Sequence, residues 1–301
     1  MEQNINIDLI PTFLAKMLEL NYGKEKFNLI RKGYNLNRPI TFRVNTLKTD
    51  IKNIENVLKS QNILFQKVSW SDTAYILPNA EEKEIRDLKI YQNGEIYLQS
   101  LSSMLPPIVL QPRIGADILD MTAAPGGKTT EIAALTKNKS NITACEMNNV
   151  RYERLKYNVE KQGAKCIYLM KEDSRRISDF FSFDQILLDA PCSGSGTSKV
   201  NIITEKLIKK SVASQKALMK KAIKILKPGG ELVYSTCSIL PCENEEIVEE
   251  TLKNSNMKIE PIEFEGLKDL PLLDSKIKGT LCVCPNNLYE GFYIAKLKKI
   301  K

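Results

Sequence analysis

The 301-residue chain contains no histidine. This absence excludes the Ser-His-Asp and Cys-His catalytic triads and every metal site that needs an imidazole ligand. No C-x-x-C pair occurs either, because Cys282 and Cys284 form only C-x-C and no second pair stands at zinc-finger spacing. We therefore expect no bound metal, and any proton transfer must fall to Asp, Glu, Lys, Cys or water.

Long apolar runs are also missing. No stretch approaches the ~18 apolar residues of a membrane span, and the opening residues MEQNINIDLIPTFLAK lack the basic and apolar regions of a secretory signal. Seven cysteines do not make a disulfide scaffold in a chain of this length, and their odd number indicates reduced thiols. These features predict a cytoplasmic protein without membrane contact. A composition of 43% hydrophobic and 27% charged residues predicts a globular fold.

Positive charge is in excess and is unevenly distributed. The net charge is +8, and the segment from Lys199 to Lys227 alone carries nine lysines against one glutamate. A second segment, Lys24 to Lys48, has seven lysines or arginines against Glu25. Basic surface of this kind favours a polyanionic partner such as a nucleic acid. A solvated helix face in a lysine-rich protein is an equally good interpretation of the charge alone.

The first part of the chain, residues 1–110, mixes helical and strand-like segments. Helices are predicted at LIPTFLAKMLEL, IKNIENVLKSQ and YLQSLSSMLPPIVL, and extended segments at TFRVNTLK, ILFQKVSW and AYILP. Pro106 and Pro107 are expected to end the third helix. This part is therefore predicted to be a small α+β module.

In the second part, residues 111–301, strand-like runs alternate with helices from ADILDM to GFYIAKLK. Repeated β-α order is typical of a mainly parallel sheet that is covered by helices on both faces. We therefore predict an α/β fold with a doubly wound domain. The link at 106–112 is short, so the two parts should pack tightly.

A glycine loop follows the first strand of the second part, in DMTAAPGGKT at residues 120–129. Two glycines between a strand and a helix let the backbone approach a ligand at the helix N-terminus. A Walker A loop would need a glycine where Thr122 stands, and the dinucleotide pattern G-x-G-x-x-G is absent. A nucleoside cofactor without phosphate and a purely structural loop are the remaining interpretations.

Three acidic residues at successive strand ends favour the nucleoside cofactor. Glu146 lies 19 residues after Gly127, near the ~20 expected for a carboxylate that binds ribose hydroxyls. Asp173 follows the third strand and Asp189 ends the fourth. The carboxyl ends of parallel strands meet at one edge of a sheet, so these carboxylates should face a common crevice.

An ordered set of motifs resembles the RsmB/Nop/Sun family of S-adenosylmethionine-dependent RNA cytosine-5 methyltransferases. The matching segments are DMTAAPGGKT, the strand end ACE, DAPCSGSGT, QKALMKKAIKILKPGGELVYSTCS, ENEE and GFYIAKL, spread over roughly 117–298. RVNTLK and YLQSLSSM resemble the N-terminal module of that family. The resemblance implies a Rossmann-like methyltransferase domain at 111–301 after an N-terminal α+β RNA-binding module at 1–110. The family loop usually begins with Cys where Thr122 stands here, and only backbone contact is expected there.

Two cysteines at strand ends agree with cytosine-5 chemistry. Carbon 5 of cytosine is a poor nucleophile, but a thiolate that adds to carbon 6 turns the ring into an enamine whose carbon 5 can attack a methyl group. Such an enzyme needs a cysteine beside the methyl donor and no histidine. Cys192 follows one strand in DAPC and Cys237 follows another in STC. An aromatic residue after the D-x-P element would instead be typical of exocyclic-amine methylation, and spacing alone does not decide which thiol attacks.

The family resemblance implies a role for each residue. Cys237 would attack the base and Cys192 would assist proton removal or elimination, while Asp189 would hydrogen-bond the polar edge of the base. Lys128 would lie near the active site, although a surface lysine fits the sequence as well. S-adenosyl-L-methionine would be bound by Thr122, Ala123, Ala124, Pro125, Gly126, Gly127, Lys128, Glu146, Asp173 and Asp189. Cys145 and Cys166 are expected in core strands, and no role is assigned to Cys242, Cys282 or Cys284.

The sequence therefore predicts a monomeric RNA cytosine-5 methyltransferase that acts on ribosomal or transfer RNA. Three alternatives stay open: a DNA cytosine-5 methyltransferase, a catalytically inactive RNA-binding assembly factor with the same fold, and a P-loop nucleotidase. Lys206, Lys209 and Lys210 follow the PCSG loop and are expected to lie near the crevice and bind RNA phosphates.

Overall fold

A four-stranded antiparallel sheet forms the first part of the molecule. The computed structural model describes residues 10–300, so the interpretation of residues 1–9 lies outside the described part. The sheet has the order β2-β3-β1-β4, with β1 (Ile40–Val44), β2 (Gln66–Val68), β3 (Ser71–Leu77) and β4 (Ile96–Leu98). Helix α2 (Ile51–Ser60) covers it, because Ile54 and Leu58 lie on one helix face and are buried in a cluster with Phe42 and Tyr75.

Helix α1 (Thr12–Tyr34) begins after Pro11, and its helical geometry is interrupted at Gly23, which has a φ of 74°. The predicted helix is confirmed. Its buried residues Leu14, Leu18 and Ile30 belong to the same apolar cluster as residues of the large C-terminal sheet. This helix therefore packs on the second sheet rather than on the first.

The second sheet has nine strands and contains the predicted parallel core. Its order is β11-β12-β13-β9-β8-β5-β6-β7, and β10 pairs with β13. The run from β9 to β7 is parallel, whereas β10, β11, β12 and β13 pair antiparallel. The bounds are β5 (Asp117–Asp120), β6 (Asn141–Cys145), β7 (Ile167–Met170), β8 (Phe183–Asp189), β9 (Leu226–Thr236), β10 (Met257–Ile259), β11 (Leu272–Leu273), β12 (Leu281–Val283) and β13 (Phe292–Lys299).

Helices cover both faces of this sheet, as predicted. Successive side chains of a strand point to opposite faces, and Leu187 and Leu188 of β8 accordingly belong to different apolar clusters. One face is covered by α1, α8 (Glu205–Ile225) and α9 (Glu245–Asn254), and the other by α5 (Leu101–Leu110), α6 (Gly127–Leu135) and α7 (Asn149–Gln162). The α/β doubly wound interpretation is therefore confirmed.

The prediction for α5 was wrong at both ends. Helix α5 contains both Pro106 and Pro107 instead of ending there, and the YL of the predicted segment belongs to strand β4. Proline removes the N–H that would bond the carbonyl four residues earlier. The side-chain amide of Gln99 replaces that donor for Pro107, since its Nε2 lies 2.9 Å from the carbonyl oxygen of Ser103. Eight of the ten helix residues are buried, so tertiary packing outweighs the local preference.

Two short helices, α3 (Glu82–Asp87) and α4 (Lys89–Gln92), and the strands β10 to β12 were not predicted. Among residues 10–300, no helix combines the length and apolar character that crossing a membrane requires.

Candidate active site

The glycine loop connects β5 to α6 in a conformation that depends on its glycines. Gly126, the residue before α6, has a φ of 106°, which L side chains rarely adopt. At Gly127 an added Cβ would lie 3.1 Å from the ring of Tyr97, so the small residue permits close packing on strand β4. The α6 N-terminus can therefore approach other groups through its backbone.

Asp120, at the end of β5, holds the glycine loop through two hydrogen bonds. Its Oδ2 accepts a hydrogen bond of 2.7 Å from the hydroxyl of Thr129, and its Oδ1 accepts one of 3.3 Å from the backbone nitrogen of Thr122. Burial raises the pKa of this carboxyl to about 6, although the two hydrogen bonds partly offset the effect. The hydroxyl of Thr122 also donates to the backbone oxygen of Asp189 at 2.7 Å. The side chain of Thr122 therefore links the ends of two strands.

A cavity of about 250 Å³ lies at the carboxyl ends of the parallel strands. The predicted site residues on its wall are Thr122, Ala124, Glu146, Asp173, Asp189, Cys192 and Cys237. A second cavity of about 220 Å³ shares Thr122, Ala124 and Asp189 with it and is also lined by Ala123, Pro125, Gly127 and Lys128. Gly126 lines neither cavity and packs against Leu155 of α7. The structure therefore brings eleven of the twelve predicted residues to two adjoining cavities.

Two carboxylates stand at one end of the first cavity. Glu146 follows β6 and is 5% exposed, and its Oε1 accepts a hydrogen bond of 2.8 Å from the nitrogen of Asn148. Its Oε2 lies 3.4 Å from the Nε of Arg151. Asp173 binds the guanidinium of Arg175, whose hydrogen bonds lower the pKa of the aspartate. Acceptors of this kind can bind hydroxyl or amino groups of a nucleoside.

The two thiols lie together at the other end. Strands β8 and β9 are adjacent and parallel, with Asp189 opposite Ser235, so the segments after them start side by side. The Sγ atoms of Cys192 and Cys237 are 3.3 Å apart. Their hydrogen bond, reinforced by burial, raises the pKa of Cys192 well above its usual range. The thiol of Cys192 is therefore protonated at neutral pH.

Lys128 and Asp189 form an ion pair beside the thiols, with Nζ and Oδ2 2.7 Å apart. Burial opposes the charge on the lysine, but the carboxylate of Asp189 outweighs burial and raises the pKa of Lys128. The other oxygen of Asp189 accepts a hydrogen bond of 2.8 Å from Ser235. These partners fix the aspartate at the junction of the two cavities, where it can accept a hydrogen bond from a bound ligand.

Glu243 braces both thiol-bearing segments, and no role was predicted for it. Its carboxylate is fully buried and accepts hydrogen bonds from the backbone nitrogen and hydroxyl of Ser193 and from the hydroxyl of Ser238, at 2.6 to 2.7 Å. Ser193 follows Cys192 and Ser238 follows Cys237, so one carboxylate positions both neighbours. The only sequence signal was its place in the ENEE motif.

The cysteines outside the site lie in or beside the sheet strands or in short turns. Cys145 is buried in β6, Cys166 is half-buried just before β7, and all seven cysteines are free thiols.

In α8 the residues that line the first cavity are Ser214 and Leu218 in the middle of the helix. The N-terminal turn that carries Lys206, Lys209 and Lys210 is not part of the cavity wall, and Lys210 stands one helical turn before Ser214.

Comparison with known proteins identifies the family. A family profile described as 16S rRNA methyltransferase RsmB/F matches residues 107–298, and one described as the RsmF/B-like ferredoxin-like domain matches residues 10–82. The chain belongs to the RsmB/F methyltransferase family.

Relatives in this family include enzymes named for two kinds of RNA. The chain is 35% identical over 275 residues to ribosomal RNA small subunit methyltransferase F of Shewanella piezotolerans, covering 86% of this chain and 57% of that protein. It is 34% identical over 273 residues to tRNA (cytosine(49)-C(5))-methyltransferase of Pyrococcus abyssi, covering 86% and 88%. The chain thus spans less than two thirds of the length of the ribosomal relative.

Two solved structures superpose over nearly the whole chain. A methyltransferase homolog from Pyrococcus horikoshii has a TM-score of 0.85 at 33% identity and covers 96% of this chain and 94% of its own. NSun6 from Pyrococcus horikoshii, solved with SFG, has a TM-score of 0.88 at 25% identity and covers 98% and 100%.

Proposed function

We propose that the protein is an RNA (cytosine-5-)-methyltransferase that transfers a methyl group from S-adenosyl-L-methionine to a cytosine of ribosomal or transfer RNA. The observation that carries the proposal is the pair of thiols 3.3 Å apart beside the Lys128–Asp189 ion pair, at the junction of two cavities. One cavity has acceptors suited to a nucleoside, and the other is open to a base.

The cofactor is assigned to the cavity lined by Glu146 and Asp173. The residues present fit the group, because the nearly buried carboxylate of Glu146 can accept hydrogen bonds from ribose hydroxyls and Asp173 offers a further acceptor. The neighbouring NSun6 structure was solved with SFG, an S-adenosylmethionine analogue, which supports S-adenosyl-L-methionine as the cofactor. When bound, S-adenosyl-L-methionine supplies an electrophilic methyl group. The loop residues 122–128 and Asp189 would contact it and hold the target base beside it.

In the proposed reaction the thiolate of Cys237 adds to carbon 6 of the cytosine, and carbon 5 then accepts the methyl group. Asp189 hydrogen-bonds the amino edge of the base, and the ion pair with Lys128 holds that carboxylate in place. The carbon-5 proton then leaves to a water molecule, and the electron pair of its bond re-forms the ring double bond as the carbon 6–sulfur bond breaks to return the thiolate. Cys192, protonated and hydrogen-bonded to Cys237, can stabilise the departing thiolate.

Two rivals make different demands on the same residues. An inactive RNA-binding factor would need neither thiol nor the ion pair, yet both are assembled here. A DNA cytosine-5 methyltransferase would share the ring chemistry, and the RNA-directed names of the relatives favour RNA.

Free thiols at the reaction centre need a reducing compartment, so the proposal includes a cytoplasmic location.

The purified protein should transfer tritium from labelled S-adenosylmethionine to RNA from a strain that lacks its gene, but not to DNA from that strain. Bisulfite sequencing of ribosomal and transfer RNA from the same strain would identify the cytosine. Glu146→Ala should weaken S-adenosylmethionine binding in calorimetry, since hydroxyls that bond a charged acceptor lose about 1.5–3 kcal/mol. Transfer to DNA alone, or tight ATP binding without S-adenosylmethionine binding, would refute the proposal.

A further inference from the structure

A third and larger cavity lies outside the site described above, at the seam between the first sheet and helix α7. This groove, about 680 Å³ in volume, is here called the tyrosine groove and is defined by Arg86, Tyr91, Tyr97, Arg154, Tyr157 and Lys161. Arg86, Tyr91 and Tyr97 come from the first part of the chain, and the other three come from α7.

The tyrosine groove adjoins the cavity that contains the Lys128–Asp189 ion pair. Tyr97, Leu98 and Pro125 line both this groove and the cavity that contains Lys128 and Asp189. A strand that placed one nucleotide at the thiols could therefore place a neighbouring nucleotide in the groove.

Its walls are held together before any ligand binds. The side-chain amide of Asn45 donates to the backbone oxygens of Gly94 and Gln162, both at 2.8 Å, and so ties the turn after α4 to the end of α7. Asn158 of α7 donates to the backbone oxygen of Pro125 at 2.8 Å. A preformed groove binds a ligand without first ordering its own walls.

The lining combines aromatic rings with positive charge. The Nζ of Lys161 lies 3.9 Å from the ring centroid of Tyr91 and 5.8 Å from that of Tyr157. Within residues 10–300 neither Lys161 nor Arg154 forms an ion pair, and Glu153 is the acidic residue on the wall. Burial, followed by the charges of Arg86 and Lys48, lowers the pKa of Lys161. A bound anion would offset the electrostatic repulsion between Lys161 and these neighbouring cations.

Rings and cations together suit a nucleotide better than an acidic peptide, because a peptide carboxylate would use the cations but not three rings. Bases stack on aromatic side chains, and phosphates bind lysine and arginine. We propose that the tyrosine groove binds an unpaired nucleotide that flanks the target cytosine, with its base on a tyrosine ring and its phosphate at Arg154 and Lys161. The proposal rests on the proposed function for the identity of its ligand.

Tyr157 offers a clean test because it is 62% exposed, and truncation should not disturb the core. The probe is a short fluorescent oligocytidylate, and binding is measured by anisotropy at one low salt concentration. Tyr157→Ala should weaken binding by about 5- to 150-fold, the range for loss of one stacked base, and Tyr157→Phe should retain it. Tyr168→Ala is the matched control, since Tyr168 is 66% exposed on strand β7 and does not line the groove.

Arg154→Gln tests the phosphate contact, and it should lower the slope of log affinity against log salt by about 0.7. Calorimetry with S-adenosylmethionine should give the wild-type affinity for both groove variants, because neither residue lines the cofactor cavity. Equal oligocytidylate binding by Tyr157→Ala and Tyr168→Ala would overturn the proposal, as would displacement of the oligonucleotide from wild type by polyglutamate alone.

Methyl transfer measured on the same preparations separates this proposal from the proposed function. A wild-type protein that methylates RNA while Tyr157→Ala binds and methylates equally well would refute the groove and leave the function intact. A wild-type protein that methylates no RNA, but whose oligocytidylate binding falls in Tyr157→Ala, would refute the function and support a nucleotide-binding groove.

Discussion

At the scale of single residues, the thiols of Cys192 and Cys237 lie 3.3 Å apart at neighbouring strand ends. The hydrogen bond and burial that raise the pKa of Cys192 keep its proton in place at neutral pH. A protonated thiol is a poor nucleophile but a good hydrogen-bond donor. This environment suits an assisting role for Cys192, and the proposed function accordingly gives the attack to Cys237.

The two cysteine variants should therefore fail at different steps. Cys237→Ala should abolish both turnover and the covalent RNA adduct, because no thiolate attacks. Cys192→Ala should still attack but release slowly, so protein linked to RNA should accumulate. A denaturing gel with labelled RNA measures the adduct, and Cys166→Ala, at the opposite end of the parallel strands, is the control. An adduct in the Cys237 variant and none in the Cys192 variant would reverse the assignment.

Asp120 should give stability a pH dependence of its own. Burial raises its pKa to about 6 in the folded state, against about 3.9 in an unfolded chain. Its favourable contribution is therefore fully present below about pH 4 and is lost as the pH rises through about 6. The Asp120→Asn variant has no carboxyl to ionise at this position. Its free energy of unfolding, relative to that of wild type, should therefore rise by up to about 3 kcal/mol between about pH 4 and about pH 6.

Urea unfolding at several pH values would measure this difference, and the exposed Asp72→Asn is the control. A constant difference between Asp120→Asn and wild type from acid to neutral pH would contradict the prediction.

The pairing of the two thiols could be predicted from sequence because two motifs end adjacent parallel strands. The brace by Glu243 could not, since it depends on a short helical turn at Pro241–Glu243 that brings the carboxylate back under both segments. Contacts formed by such returning segments leave no periodic signal in the sequence.

At the scale of elements, α8 divides its lysines into two groups. Lys216, Lys221 and Lys224 form ion pairs with Glu250 or Asp179. Lys206, Lys209 and Lys210 are exposed and form no ion pair with any residue from 10 to 300. Lys210 and Lys206 stand four and eight residues before Ser214, so they continue the helix edge that begins at the cavity wall.

The exposed Lys206, Lys209 and Lys210 should therefore still bind RNA phosphates, although they do not line the cavity. Replacing Lys206, Lys209 and Lys210 by Gln should reduce the slope of log affinity against log salt by about 2, without changing which cytosine is methylated. The matched control replaces the ion-paired Lys216, Lys221 and Lys224 by Gln and should leave the slope nearly unchanged. Equal slopes in the two triple variants would assign the RNA contact elsewhere, such as the Lys24–Lys48 segment.

Helix α5 marks the limit of prediction from local pattern. Two adjacent prolines normally end a helix, and nothing in the local sequence indicates that Gln99 will satisfy a carbonyl that proline leaves free. The core strands and helices of the second part were predicted because their apolar periodicity is strong. The short β10, β11 and β12 have two or three residues each and carry too little periodicity to detect.

At the scale of the whole molecule, one buried side chain joins the two sheets. Arg43 of β1 is 2% exposed, and its Nη2 donates to the backbone oxygen of Gly127 at 3.0 Å and to the hydroxyl of Thr130 at 2.7 Å. Its Nε donates to Gln99 at 3.0 Å, and Glu131 lies 3.8 Å away. Arg43 therefore fixes the first sheet to α6, the helix that carries Lys128. Its partners are far apart in the sequence, which is why this link could not be predicted.

Removing Arg43 should therefore destabilise the whole molecule. Arg43→Met leaves the buried oxygens of Gly127 and Gln99 without their charged donor, and each such hydrogen bond contributes about 1.5–3 kcal/mol. Burial raises the pKa of Glu131 to about 8, so at a pH above that value Arg43→Met also leaves a buried carboxylate without its cation. Adding Glu131→Gln removes that charge, so the double variant should then lose less stability than the sum of the single variants, by about 0.5–3 kcal/mol. Urea unfolding of the four proteins at one pH above about 8 measures this coupling. If the single losses simply add, Arg43 and Glu131 act independently, and the link between the sheets depends on the hydrogen bonds to Gly127 and Thr130 alone.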